Sequence, residues 1–183
     1  MPQRESAAVG AVVEFWTQAG QERWFGKDEA FDASFKTRFL DLHMAVAARQ
    51  HDGWLGAPDG ALALLILTDQ FPRNAFRGTA HMYATDPLAR HFAQRAHAMG
   101  YMERIDPALR VFLCLPFTHS EDLADQDRGV ELNQSLGGIT LEFAVHHREI
   151  IRRFGRFPHR NPLLGRESTP EELAFLAGGG FQG

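Results

Sequence analysis

One cysteine in 183 residues removes two kinds of chemistry at once. Cys114 has no partner for an internal disulfide, and no metal site can be assembled from thiolates around it. It stands in RVFLCLPF, an apolar setting that suits a buried, inert thiol rather than a nucleophile. Long hydrophobic runs are missing too. The longest aliphatic stretch is Ala61 to Leu67, far short of the ~20 residues a membrane-spanning helix needs. No sustained apolar core follows the charges of MPQRESAAVG, so the beginning does not read as a secretory signal. The formal charge is −4, which lacks the positive excess of a nonspecific nucleic-acid binder. The expectation is a cytoplasmic protein with no membrane and no nucleic-acid partner.

What is present is an ordinary globular composition, 44% hydrophobic and 23% charged. The length suits one domain over residues 1–183, with the glycine-rich end, 178–183, expected to be mobile. Charge is uneven. Six arginines and one acid lie between Arg148 and Arg166, and five acids and one arginine between Ser120 and Glu131. Packed side by side, these stretches would neutralise each other.

Almost every segment reads as helix, giving an all-α class of about eight helices joined by short loops. Phe31, Phe35, Phe39, Leu42 and Val46 recur every three or four residues, predicting a helix from near Asp28 to Gly53. Thr85-Asp86-Pro87 and Asp106-Pro107 place a capping side chain before a proline. Thr118 with Glu121, and Thr169 with Glu172, fit the capping box. Gly20, Gly100, Gly137 and Gly178 stand where helices should end. The aromatics of FWTQAGQERWFGKDEAFDASFKTRF read as core.

Two similar corners carry the polar signal: DQFPRNAFRG (Asp69 to Gly78) and GRFPHRN (Gly155 to Asn161). Asp69 ends an apolar helix, Ala61 to Phe71, where an unpaired charge would cost several kcal/mol. Arg73 and Arg77 are the nearby partners. Pro72 predicts a bend, with Arg73 and Asn74 outside any further helical turn. Pro158 and Pro162 bracket His159, Arg160 and Asn161, limiting their wandering. Arginine offers a planar donor fork suited to carboxylate or phosphate. On the helix Thr140 to Phe154, Phe143, His147, Ile150 and Phe154 form one stripe, which singles out His147 rather than His146. His119, Glu121 and Asp122 make a last cluster, the two acids at a helix start. Neither His-x-x-x-His nor Glu-x-x-His spacing occurs in a form suited to a metal, so no metal or other cofactor is expected.

The stretches ERWFGKDEAFDASFKTRF, LTDQFPRNAFRGT, MYATDPLAR, FLCLPFTHSEDLADQ and FGRFPHRNPLLGRESTPEELAFL together resemble the bacterial "domain of unknown function 924" family over nearly the whole chain. The resemblance implies a compact all-helical array similar to tetratricopeptide-repeat proteins, and it implies no established activity. Combined with the residues, it leaves two main expectations, behind which stands a metal-dependent enzyme using His119, His147 and His159 with a carboxylate. In the first, both corners converge on one pocket that binds or hydrolyses a small anionic ligand. Arg73, Asn74, Arg77, His119, Arg160 and Asn161 would hold that ligand, His147 or His159 would move a proton, and Asp69 would orient one of them. In the second, the polar motifs are clamps within a scaffold for protein partners.

Overall fold

A computed structural model of the chain describes residues 3–183. Among these the structure is helical and contains no strand. Eight α-helical elements form a compact array: α1 (Gln3–Phe25), α2 (Glu29–Ala47), α3 (Pro58–Leu65, continuing without a break through Ile66–Gln70 and Phe71–Ala75), α4 (Asp86–Ala98), α5 (Val111–Thr118), α6 (Leu123–Gln134), α7 (Gly138–Phe154) and α8 (Pro170–Ala177). No helix of the described residues is long and apolar enough to cross a membrane.

The centre is α3. Residues Gly60 to Pro72 are all buried, because α1, α2, α4 and α5 pack around it. An apolar circumference demands this: a helix hydrophobic on every side is stable only when enclosed. Against it lie most of the early aromatics, with Trp16 and Phe35 fully buried and their rings 5.4 Å apart, whereas Phe25, also expected in the core, is 61% exposed. Phe31, Phe39 and Val46 complete the buried face of α2, and His43 joins them with no exposure at all. Cys114 is buried, and burial pushes its thiol up to about 12.

Several expected boundaries shift. At Gly20 the backbone leaves helical geometry, with φ 72° and ψ 172°, so the stop expected there is present as a kink that divides α1 into two helical segments. α2 stops at Ala47 and the chain turns through Arg49 at a φ of 65°, so Gly53 is not its terminator. The bend expected at Pro72 is absent. The helix widens instead into a π turn over Ile66–Gln70, whose ladder bond runs from the Phe71 N–H to the Ile66 carbonyl. Proline cannot supply an N–H to the carbonyl four residues back and its ring crowds that carbonyl; a π turn relieves both problems. The Thr68 carbonyl is served instead by the Thr85 hydroxyl, at 2.6 Å. Thr85 stands at the N-cap of α4, but its side chain is turned to that carbonyl and no side chain caps the helix. The box foreseen from Thr118 and Glu121 does not form either, because Asp122 caps α6 through the N–H groups of Ala124 and Asp125.

The Thr169–Glu172 box is present, with both reciprocal bonds. Thr169→Ala is expected to cost about 1 kcal/mol of stability, read as a small drop in the urea midpoint with an unchanged slope. The acidic and basic stretches do meet: α6 packs on α7, Arg148 pairs with Asp127 at 3.7 Å and Arg166 with Glu121 at 2.6 Å.

Candidate functional site

The π turn decides which side chains face inward. Because α3 continues through Pro72, Asp69 and Arg73 are one helical turn apart on one side. Asn74 and, just past the helix end, Arg77 point to another side. There they hold Asp32 of α2, Asn74 Nδ2 donating to Oδ1 at 2.7 Å and Arg77 Nε to Oδ2 at 2.9 Å. Both residues thus depart from the expected pocket; they clamp α3 to α2.

Asp69 is 1% exposed and fully engaged. His119 Nδ1 lies 2.7 Å from Oδ1, Gln70 Nε2 donates to Oδ2 at 2.5 Å, and Arg73 Nη1 is 3.3 Å from Oδ1. Burial by itself would raise the Asp69 pKa, but Arg73 and then His119 outweigh it and hold the carboxyl well below the usual range. An ionised carboxylate only accepts, so the His119 proton resides on Nδ1 and the Nε2 lone pair is left free. Nε2 has no hydrogen-bond partner among the described residues. His119 is held below its ordinary pKa, by burial first and by Arg73 second, against the pull of Asp69. It is a neutral imidazole at pH 7. The histidine that Asp69 orients is therefore His119, not His147 or His159.

The second corner meets the first through Asp86. Arg73 donates to both oxygens of Asp86, at 2.8 and 3.0 Å, and Arg160 Nη1 reaches Oδ2 at 3.5 Å. Arg160 Nη2 also donates to the His119 carbonyl at 3.0 Å. Its guanidinium is sandwiched between the rings of Tyr83, at 4.5 Å, and Phe157, at 4.4 Å. Its Nε is buried with no acceptor among the described residues. The two Phe-Pro corners do converge in space, joined by a carboxylate and two aromatic rings.

Asn161 does not join them. It is fully buried and tied off, accepting from Arg166 Nε at 2.9 Å and donating to Ser168 Oγ and Glu172 Oε2. Glu121 belongs to the same knot, accepting from Arg166 and from the Phe157 N–H at 2.8 Å. This polar knot locks the corner in place, which is a structural task. His147 donates Nδ1 to the Phe143 carbonyl at 2.7 Å and packs its ring 5.4 Å from Phe157. His159 lies 5.6 Å from the same ring, its Nδ1 buried and without a partner. Burial dominates in pushing His147 down to about 3 and His159 to about 4.

Sequence reading missed Asp86 and Tyr83. Asp86 sits directly before a proline, and a capping role accounted for it too readily; the surplus of arginines over acids in the two corners was the signal for a shared carboxylate elsewhere. No cluster of three His, Cys, Asp or Glu side chains suited to a metal ion exists among the described residues. A cleft of about 600 Å³ lies between α1 and the start of α3, and it contains none of the residues above.

A family model described as "Bacterial protein of unknown function (DUF924)" matches residues 12–180. The chain is also similar to a solved structure, that of a protein of unknown function from Agrobacterium tumefaciens. The two are 56% identical, the match covers 93% of this chain and 97% of the other, and the TM-score is 0.92. A search of curated proteins finds none that matches.

Proposed function

The chain belongs to the bacterial DUF924 family, and within it we propose that the Asp69–His119 pair and its flanking arginines form a site for a small anionic ligand in the cytoplasm. The observation that carries this reading is a neutral histidine oriented by a buried aspartate, with its outer nitrogen unengaged. Such a pair is the general-base arrangement: the carboxylate fixes the tautomer and stabilises the imidazolium once Nε2 has taken a proton. Residues 50 apart in sequence form it, deep in a protein where an isolated carboxylate is costly.

Arg160 supplies the anion preference. Its guanidinium is fixed before any ligand arrives, by two aromatic faces and the His119 carbonyl, and its Nε hydrogen has no acceptor among the described residues. A carboxylate or phosphate oxygen would satisfy that donor in a charge-assisted bond. Arg73 adds positive charge on the far side of Asp86. Binding places the ligand beside His119 Nε2, which then accepts a proton from the ligand or from a water attacking it.

A thermal-shift screen of phosphorylated and carboxylated metabolites tests this. At least one should raise the melting temperature of the native protein, and Arg160→Ala should abolish that rise. Where turnover is found, His119→Gln should suppress it while leaving the ligand-induced rise in place. No stabilisation of the native protein, or the same stabilisation in Arg160→Ala, would refute the proposal.

A further inference from the structure

We infer that the hollow lined by His146, His147, Phe157 and His159 is a subsite for an aromatic ring, occupied here by Phe181 of the chain's own final segment. The inference rests on the anion site proposed above and extends it, making the ligand class an aromatic or arylalkyl anion.

The Phe181 ring lies 4.6 Å from that of His147, 5.1 Å from His159 and 6.0 Å from His146, each at a steep interplanar angle. Edge-to-face contacts at these separations are the favoured geometry for rings of opposed quadrupole. Phe181 also joins the small apolar cluster of Ile150, Ile151 and Phe157. The hollow is thus apolar on its floor and imidazole on its walls. Burial holds two of them, His147 and His159, below their ordinary pKa.

The route of the segment is built into its residues. Gly179 has a φ of 84°, a conformation that other L residues rarely adopt. At Gly180 a Cβ would stand 2.6 Å from the Phe175 ring, so only glycine passes there. The Gly180 N–H bonds to the Phe175 carbonyl at 2.9 Å, the Gly179 N–H to the Leu176 carbonyl at 3.3 Å, and Gln182 Nε2 donates to the Leu176 carbonyl at 3.0 Å. Beyond these bonds the segment is held by Phe181 itself, which remains half-buried. A guest that displaces one ring and three main-chain or amide bonds faces a modest barrier, and the segment can then swing on its glycines.

The hollow adjoins the anion site through one side chain. Phe157 has the Arg160 guanidinium 4.4 Å from its ring, while His147 and His159 pack 5.4 and 5.6 Å from it. A ligand with its anionic group at Arg160 would therefore carry a ring toward the place of Phe181. His159 Nδ1, buried and unpartnered, lies at the same wall and can donate to or accept from a polar substituent on that ring.

The test follows histidine ring signals by NMR in the full chain, with benzoate, acetate, inorganic phosphate and benzyl alcohol as probes. In the native protein, nuclear Overhauser contacts should connect the Phe181 ring with His147. Phe181→Ala should bind benzoate roughly tenfold more tightly than the native chain, since the native ring no longer competes, while acetate affinity stays the same. Equal benzoate affinity in both proteins, or no contact between Phe181 and His147, overturns the inference. Benzyl alcohol shifting His147 and His159 in the variant, while neither acetate nor phosphate binds, upholds the ring subsite and removes the anion reading. Acetate and phosphate binding beside Arg160 with no gain from a ring does the reverse.

Discussion

Asp69→Ala is expected to lower the unfolding free energy by about 3–5 kcal/mol, the range for breaking a buried ion pair from one side. Three donors lose their acceptor at once: His119 Nδ1, Gln70 Nε2 and the near nitrogen of Arg73. Arg73 retains Asp86, so its charge is still balanced, but its neighbours are left buried beside a void. Asp69→Asn should cost less, because an amide oxygen can still accept from His119. It should nevertheless impair any reaction that uses His119 Nε2, since a neutral amide no longer stabilises the imidazolium. Urea unfolding at pH 7 reads the first effect. A loss under about 1 kcal/mol, the level of an exposed pair, would show that Asp69 is not the keystone described above.

Acidification should have a comparable effect, beginning at unusually mild pH. His147 and His159 titrate near 3 and 4 in the folded protein, against about 6.5 in an unfolded chain. The unfolded chain therefore takes up protons that the folded one refuses once the pH drops below about 6.5. Their contribution is fully present above that value and is lost as pH falls toward the folded pKa values. At pH 4.5 the two imidazoles together remove several kcal/mol, at about 1.4 kcal/mol per group and pH unit. His43, His97 and His119 shift in the same direction, each chiefly through burial. The carboxylates add to this only at lower pH. Glu121 and Asp69 sit below their ordinary values, so their stabilisation disappears as pH falls through and below about 4. Melting temperature recorded from pH 7.5 to 4.5 should fall steeply and continuously, and His147→Gln should flatten the slope. A curve level down to pH 5 would contradict the burial described for these rings.

The ease of reading differed from residue to residue. The α2 stripe of Phe31, Phe35 and Phe39 was legible because helix periodicity and burial express one constraint, apolar surface turned inward. His43 was hidden in the same helix, since its place between Leu42 and Met44 says nothing about the Leu67 carbonyl, 2.8 Å away, that makes it acceptable in the core. Capping motifs were legible only where nothing competed. Thr169 caps α8, while Thr85, equally plausible in sequence, serves the carbonyl orphaned by Pro72 in another helix. Of the residues expected to form the pocket, Asn74, Arg77 and Asn161 proved to be clamps, and Asp86, read as a cap, became the link between Arg73 and Arg160.

Composition and periodicity were enough to determine an all-helical chain with an enclosed α3, because hydrophobic burial is additive along a helix and needs no knowledge of its neighbours. Membership in the family was likewise written in the local motifs. Which carboxylate met which guanidinium, and which histidine turned its free nitrogen outward, were decided only by the tertiary structure. Ion pairing depends on distances of a few ångströms, and a single π turn just before Pro72 rotates every following side chain relative to the helices around it.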